Sequence, residues 1–371
     1  MRASLVDPSA FTPPYDHALA AALARSGVEV ELLTSRFAHG PVPPPAGYRV
    51  RELFYRRASR LPPRSRLRAP VKLAEHVPDM LRLRVATRSS DLVHLQWVDV
   101  PQVDLALLPP TRPRVLTAHD VLPREPRRGQ RAATRRLLHA MDAVIVHSEH
   151  GAQRLREEVG LPGDRVLVIP HGAFDYLTRQ PEERPLPAEL AAVEGPVILL
   201  FGLLRPYKGI DVLLEAFRAV EGAEAWIVGM PRMELAPLRE LAARASGRVR
   251  FVPRFVTDPE IPAYMRRADL VVLPYREIDQ SGVLYAALAF GRPLVLSAVG
   301  GFVELAERHG VGELVPPGDP DALAAVLNAL LADPEGRARL AATAQRAAEG
   351  PYSWDAVGRR TAELYSELVG R

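Results

Sequence analysis

The sequence predicts an α/β protein built of two doubly wound, Rossmann-like parallel-sheet domains. Three observations carry that prediction. Short, wholly apolar runs recur along the chain, residues 197–201 and 270–273 among them, and such runs mark strands buried on both faces of a parallel sheet. Each run ends in a polar or glycine turn and gives way to helically spaced apolar residues, the alternation that βαβ units require. Finally, 371 residues are long for a single core and suit two domains.

Composition narrows the class. A hydrophobic content of 47% and a charged content of 25% are ordinary for a soluble globular chain. The absence of cysteine rules out disulfides and thiolate metal sites and fits a reducing compartment. No apolar run approaches the ~20 residues of a membrane span, and the first residues open into a strand rather than a signal peptide. The expectation is a cytoplasmic protein. The net charge of +4 is unevenly placed. Arg56, Arg57, Arg60, Arg64, Arg66 and Arg68 form one cluster, and Arg124, Arg127, Arg128, Arg131, Arg135 and Arg136 a second, with Glu125 the only acid within them. They read either as a face for an anionic partner, such as the inner membrane surface or a lipid phosphate, or as a solvated surface in an arginine-rich chain. No aromatic interleaving or binding motif accompanies them, so nucleic acid is not expected as a partner.

In chain order, residues 3–6 form a first strand, followed by a loop over 7–17, a helix over 18–25 and a second strand over 28–34. The loop sits where α/β proteins keep their sites, but lacks the glycines that would cradle a pyrophosphate. In it Tyr15, Asp16 and His17 read as contacts to a polar ligand, or Asp16 as a helix cap. Residues 36–70, rich in Pro and Arg, read as an irregular excursion with one strand at 48–54. A helix over 71–88 leads to a strand over 91–97 that ends in Gln96 and Trp97. The run 114–120 delivers His119 and Asp120 to a strand's carboxyl end, and 143–148 and 165–172 repeat the pattern, the latter ending at His171. Residues 173–194 carry Pro181, Pro185 and Pro187 without periodicity and read as a linker. Beyond it come strands at 197–201, 223–228, 249–255, 270–273 and 293–297, with helices near 234–244, 260–267 and 283–290. The tail is helical, with Asp319 as N-cap, Pro320 at the first helical position and a last segment over 354–368. The expected domains are residues 1–180, with 353–371 packing back on them, and residues 190–352.

The stretch 197–209 organises the second half. Its strand breaks at Gly202 and reaches Arg205, Lys208 and Gly209 before a helix begins. A strand, a glycine turn, two cations and a helix N-terminus hold an anion at a sheet's carboxyl edge. Among 48 basic residues only Lys72 and Lys208 are lysines, and a compact ammonium suits a phosphate. Gln280, Ser281, Gly282 and Val283 open another helix whose N–H groups can meet the same anion. Gly291, Gly300 and Gly301 add to the arrangement, which together reads as a diphosphate site.

At these residues the chain resembles a known family. Residues 201–209 resemble the donor-phosphate loop of GT-B glycosyltransferases of family 4. Residues 268–275 followed by Gln280, Ser281, Gly282 and Val283, and residues 289–295 followed by Val299, Gly300 and Gly301, resemble that family's second signature. Trp354 and Tyr365 resemble its closing helix, which crosses back to the first domain. The resemblance spans nearly the whole chain, is strongest from Pro196 to Asp319 and weakens before residue 110.

It implies two sheets facing across a cleft, with an acceptor-side domain first and a nucleotide-sugar-binding domain second. It implies a retaining, metal-independent transfer of a sugar from a nucleotide diphosphate sugar, a UDP- or GDP-sugar, to a hydroxyl acceptor, with no cofactor. Arg205 and Lys208 would stabilise the leaving diphosphate, and His119 matches the first-domain histidine that positions or polarises groups near sugar and acceptor. A strand-end histidine bonded to backbone is the plainer reading of His119, and a packed histidine that of His171. Donor contacts would include Gly202, Arg254, Phe255, Glu277, Asp279, Gln280, Ser281, Gly282 and Val283. Acceptor-side contacts would be Tyr15, His17, Gln96, Trp97 and Asp120.

One departure stands out. Many members of the family carry two glutamates around a Phe-Gly, the second on the nucleotide ribose. Here that second position falls on Ala286 or Ala287, with the first nearest Asp279 and Glu277 close by. A Gln-Ser-Gly sub-branch shares this pattern. Two other functions fit the same fold: a catalytically silent nucleotide-sugar-binding subunit, and a nucleotide-sugar epimerase, for which the first domain offers no convincing acidic pair. The arginine clusters leave a lipid-linked or anionic acceptor and a peripheral membrane contact as open classes beside a soluble acceptor.

Overall fold

A computed structural model describes residues 1–37, 40–62, 65–123 and 126–370. Arg64, Arg124 and Glu125 of the basic clusters lie outside the described residues. The chain divides into two compact units, Met1–His171 with the stretch from Trp354 onward, and Gly172–Ser353.

Seven strands among the described residues form the sheet of the first unit: β1 (Arg2–Asp7), β2 (Glu29–Ser35), β3 (Arg49–Phe54), β4 (Leu92–Leu95), β5 (Arg114–Thr117), β6 (Ala143–Val146) and β7 (Val166–Val168). Their order is β3-β2-β1-β4-β5-β6-β7, with every pairing parallel. Leu5 of β1 lies opposite Leu32 on one side and His94 on the other. The order reverses between β1 and β4, so the crevice that ligands favour opens at the carboxyl ends of those two strands. The four strands β4 to β7 are no longer than four residues, yet β4, β5 and β6 are almost wholly buried; β6 accordingly reads as a continuous apolar run, while β4 and β5 carry His94 and Thr117 within the sheet.

Six strands form the second sheet: β8 (Val197–Phe201), β9 (Glu224–Val228), β10 (Val249–Val252), β11 (Leu270–Leu273), β12 (Leu294–Ser297) and β13 (Glu313–Val315). The order is β10-β9-β8-β11-β12-β13, again parallel, and the switch falls between β8 and β11. All nine residues of β8 and β11 are buried.

Several boundaries differ from expectation. The first helix is Pro13–Arg25, because Pro13 and Pro14 occupy the helix-opening positions that proline favours. Tyr15, Asp16 and His17 therefore sit in its first turn and not in a loop, and Asp16 does not cap it, since Thr12 is the N-cap residue. The helix Arg68–Ala86 begins earlier than expected and runs through Pro78. β10 stops at Val252, leaving Arg254 and Phe255 beyond the strand. The helix Gly301–His309 and the three-residue β13 were not anticipated. The segment 173–194 is not a free linker: Ala173, Leu177 and Leu190 are buried in the second unit's core, and a 3-10 turn over Asp175–Arg179 and a helical turn over Ala188–Ala191 order it. Its prolines hide three widely spaced core residues. The second unit thus starts at Gly172.

The tail behaves as read. Asp319 accepts a bond from the Ala322 N–H at 2.9 Å and caps the helix Pro320–Ala332. The last helix, Trp354–Val369, belongs to the first unit, where Gly358 lies so close to Ala22 that a Cβ there would sit 2.6 Å from the Ala22 Cβ. Among the described residues, no helix is long and apolar enough to cross a membrane.

Candidate functional site

The second unit holds a cavity of about 300 Å³ at the switch between β8 and β11. Its polar wall is built by two loops fastened to each other. Gly209 adopts φ +63°, and a Cβ on it would sit 1.8 Å from the Pro274 carbonyl oxygen, so only glycine lets the first loop lie against the second. Arg276 completes the clasp. Its N–H donates to the Tyr207 carbonyl at 2.8 Å, and its guanidinium reaches the Pro206 carbonyl at 3.2 Å and both oxygens of Asp211 at 2.8 and 2.5 Å.

This clasp presents Lys208, which is 5% exposed. Its Nζ donates to the Phe201 carbonyl at 3.3 Å and lies 5.0 Å from the centre of the Tyr275 ring. Gly202, at φ +100°, clears the space beside it: a Cβ there would stand 3.0 Å from both Lys208 Nζ and a Val283 methyl. An ammonium buried at such a place is costly to leave out of water and is suited to receive an anion.

Gln280, Ser281, Gly282 and Val283 all line the cavity, as does Ala286. Tyr285 donates its hydroxyl proton to Gln280 Oε1 at 2.6 Å, and Ser281 Oγ lies 3.3 Å from the Tyr275 hydroxyl. Ser281 is the N-cap residue of the helix Gly282–Ala289, whose first N–H groups open at the cavity wall. Ala286 thus offers a methyl where the family resemblance places a carboxylate.

Other expected donor contacts are elsewhere. Arg205 is half-buried and does not line the cavity, although nothing among the described residues engages its guanidinium. Arg254 is taken by Glu260 at 2.7 Å and by the Phe255 carbonyl at 3.1 Å, and Phe255 is exposed. Glu277 is exposed, Asp279 is buried, and neither lines the cavity. Tyr207 and Tyr275, within the two loops expected to form the wall, line it, whereas Phe174, Tyr176 and Ile261, which also line it, were not foreseen. Phe174 and Tyr176 lie in the segment taken for a linker. A wider depression of about 570 Å³ at the opposite edge of this sheet gathers Arg266, Arg267, Arg292 and Arg337. Their guanidiniums are already spent on backbone carbonyls, Asp269 and Glu183.

In the first unit, an aromatic and histidine group collects beside the carboxyl ends of β4, β5 and β6. Trp97 stacks on His119 with ring centres 4.9 Å apart, and Tyr15 meets His119 edge-on at 4.8 Å and His171 at 4.8 Å. Trp354 closes against Tyr15 at 5.2 Å. The hydrogen bonds fix the tautomers. His147 Nδ1 lies 3.0 Å from the Ile169 carbonyl, which only accepts, so Nδ1 carries the proton and the neutral ring's Nε2 accepts. Its neighbour at 3.1 Å is His119 Nδ1, which must therefore donate. His119 Nε2 is left with its lone pair, covered from solvent and without a partner among the described residues.

Burial holds these rings neutral. It depresses His147 to about 4 and His119 well below the usual histidine value, where the neighbouring histidines add to the effect. His94 falls to about 3, its Nε2 2.7 Å from Thr117 Oγ1 and its Nδ1 2.5 Å from the Tyr365 hydroxyl. Gln96 sits at His94, 3.3 Å from Nε2, with its Oε1 also buried and unpartnered among the described residues. Trp97 is steadied by a bond from Nε1 to Thr12 Oγ1 at 2.9 Å. His17 goes elsewhere, to the Tyr48 hydroxyl at 2.7 Å, and Asp120 is exposed past the end of β5.

Two groups went unforeseen. Asp7 and Asp16 are buried together, and burial raises both carboxyls, Asp16 the further, with the Asp7 charge adding to the effect there. Asp7 meanwhile accepts from the N–H groups of Phe11 at 2.6 Å and Ser9 at 3.2 Å and ties down the loop after β1. Lys72, the other lysine, reaches Ser9 Oγ at 2.5 Å and Asp99 at 3.1 Å beneath the Tyr55 ring. No cluster of three or more His, Cys, Asp or Glu among the described residues is arranged to hold a metal ion.

Comparison with known proteins adds the following. The family model described as Glycosyltransferase Family 4 matches residues 15–173, and the one described as Glycosyl transferases group 1 matches residues 195–333. A D-inositol 3-phosphate glycosyltransferase of Xylanimonas cellulosilytica is 33% identical over 62% of this chain and 58% of its own. The chain spans a little over half the length of that relative. Among solved structures, sucrose-phosphate synthase from Thermosynechococcus elongatus superimposes with a TM-score of 0.75 at 22% identity, over 100% of this chain and 99% of its own. Anabaena HepE in complex with UDP-glucose gives 0.72 at 22% identity, over 99% and 100%. These likenesses show the fold, the two-domain arrangement named GT-B.

Proposed function

Since the chain belongs to glycosyltransferase family 4, we propose that it moves a sugar from a nucleotide diphosphate sugar to a hydroxyl acceptor, with retention at the anomeric carbon and without a bound metal. The observation that carries the reading is Lys208: a nearly buried lysine, beside a glycine that clears its path, in a cavity at the switch point of a parallel sheet. In this reading Lys208 and the first N–H groups of the helix Gly282–Ala289 take the diphosphate. Arg205, whose guanidinium is unspent, joins them once the donor is in place. The bond from the anomeric carbon to the phosphate oxygen breaks, the acceptor oxygen bonds to the same face, and its proton passes to the departing phosphate. No protein nucleophile takes part. Neutral His119 accepts a hydrogen bond from a hydroxyl at Nε2 and orients it.

UDP- and GDP-sugars both fit this reading, and the complex of HepE with UDP-glucose leans toward the first. The acceptor is a hydroxyl compound; a lipid-linked or anionic one, met at a peripheral membrane contact, and a soluble one both fit this reading. A thermal-shift series of UDP-, GDP- and ADP-sugars without metal, on the wild type and Lys208→Ala, tests the donor site. Ligand at 100 times its Kd stabilises the folded state by about 2.7 kcal/mol. A shift by one nucleotide series that vanishes in the variant is the expected result. No shift at millimolar nucleotide sugar would refute it.

Ala286 favours a second reading, a nucleotide-sugar-binding subunit without turnover, because it places a methyl in the cavity where a carboxylate is expected. Slow hydrolysis of the bound donor in water alone separates an enzyme from a silent binder.

A further inference from the structure

Of the exposed large apolar residues in the described chain, an unusual share lies on one element. Leu73, Val77, Leu81 and Val85, between 42% and 64% exposed, follow one another at intervals of four along the helix Arg68–Ala86, and Leu67 stands at its N-cap. At 100° per residue the four fall within an arc of about 120°, so they form one stripe, and from Leu67 to Val85 it runs about 27 Å. The small exposed residues Ala69, Pro70, Ala74 and Pro78 fill in beside it. The opposite face, with His76, Asp79, Met80 and Leu83, is buried in the first unit. This helix therefore keeps a second apolar face that none of the described residues of its own unit covers.

The charges along it are of one sign. Arg66, Arg82 and Arg88 are exposed and Arg68 and Arg84 half-exposed, while Lys72 is turned to Asp99 and Ser9. The two acids of the stretch 66–88 are turned inward. Glu75 caps the N–H groups of Arg57 and Ala58 at 2.9 Å each, and Asp79 accepts from the Tyr55 N–H at 2.8 Å and pairs with Arg82. No acid in 66–88 is exposed. Arg56, Arg57 and Arg60, exposed on the turn before, extend the same field.

We infer that this face docks on an anionic lipid bilayer, with the stripe of Leu73, Val77, Leu81 and Val85 sunk to the level of the headgroups and the flanking arginines on lipid phosphates. An apolar stripe of this length with cations along its borders is what an interfacial helix presents, and each basic side chain near an anionic surface adds to the attraction. A second copy of the chain is a poorer occupant, because it would bring the same cations against these. The inference deepens the membrane contact proposed with the transferase reading. It is tested without nucleotide or turnover, so either can fail alone.

The test is co-sedimentation of the full chain with vesicles of phosphatidylcholine alone and of phosphatidylcholine with about one third phosphatidylglycerol, for wild type and for Leu73→Glu/Leu81→Glu. Both positions are exposed, so the double variant should keep the thermal midpoint of the wild type. The expected result is wild type pelleting with the anionic vesicles only, weakening as salt is raised, and at least a tenfold lower partition coefficient for the variant. Wild type remaining in the supernatant with both vesicles overturns the inference, and so does equal pelleting of the variant. A wild-type dimer in vesicle-free solution that the double variant abolishes would also overturn it, and would give the face to a second copy.

Discussion

His119 and His147 are joined nitrogen to nitrogen, Nδ1 of the first 3.1 Å from Nε2 of the second, and the far end of the pair is anchored at the Ile169 carbonyl. Because a carbonyl can only accept, one backbone group sets the proton positions of two rings and leaves His119 Nε2 a bare acceptor. His147 thus acts through His119, as a positioning residue. In 15N spectra, His119 should show a protonated Nδ1 and an unprotonated Nε2, and should stay neutral through the acidic range. In His147→Ala that tautomer preference should vanish, and kcat should fall by about a hundredfold with KM for the donor little changed. A His119 that titrates near 6.5, or that carries its proton on Nε2 in the wild type, would refute the relay.

The same burial makes stability depend on pH. His17 and His147 are held at about 4 and His94 at about 3, while in the unfolded chain each titrates near 6.5. Below 6.5 the unfolded chain therefore binds more protons than the folded one, and stability present above that pH is lost as the pH falls toward the folded values. The loss is up to about 1.4 kcal/mol per pH unit for each ring. Asp7 and Asp16 act in the opposite sense. Their raised carboxyls keep a proton that the unfolded chain has released, so lowering the pH toward 3.8 offsets part of the loss. Urea melts across this range should show stability falling from 6.5 downward, with a shallower slope in His147→Asn. A flat profile would mean that these rings are not buried as described.

Much of this was legible in the chain itself, for definable reasons. The parallel sheets announce themselves because strands such as Leu270–Leu273 are buried on both faces and contain nothing polar. Lys208 could be singled out because the chain uses arginine almost everywhere else. What could not be read depends on contacts far apart in sequence. The tautomer of His119 is set by a carbonyl 50 residues away, Ile169. Arg254 was expected at the nucleotide but is captured by Glu260, which serves the capping box of Thr257 as well. Phe174 and Tyr176 were hidden by the prolines around them, which signal a linker even where the intervening side chains are in the core.

Two glycines of the loop that carries Lys208 should fail in different ways. Gly209→Ala needs a left-handed backbone and drives a Cβ to 1.8 Å from the Pro274 oxygen, a clash with backbone that cannot step aside. It should cost about 3 kcal/mol or more in stability. Gly202→Ala pays a backbone penalty of about 1–2 kcal/mol, but the atoms it meets at 3.0 Å are the ends of Lys208 and Val283, which can move. Displacing Lys208 Nζ should weaken nucleotide-sugar binding at least tenfold. Chemical denaturation paired with calorimetric titration of the donor separates the two. Equal losses of stability would contradict the contrast.

Arg276 offers the last test, because it does not itself line the cavity yet holds one of its walls in place. Its guanidinium ties Asp211 and the Pro206 carbonyl together, and so fixes the turn Pro206–Lys208 against the loop after β11. The pairing keeps the Asp211 carboxyl below its usual value, and the side chain is partly exposed, so its loss should scarcely change the global melt. What should change is the freedom of Lys208. In Arg276→Ala the donor affinity should drop about tenfold, and Arg276→Lys should recover little of it, since one ammonium cannot reproduce a bond to each Asp211 oxygen together with one to the Pro206 carbonyl. Hydrogen exchange over residues 203–209 should quicken in the alanine variant while β8 stays protected. Unchanged exchange together with unchanged affinity would show that the glycine contact of Gly209 with Pro274 holds the loop without help from the clasp.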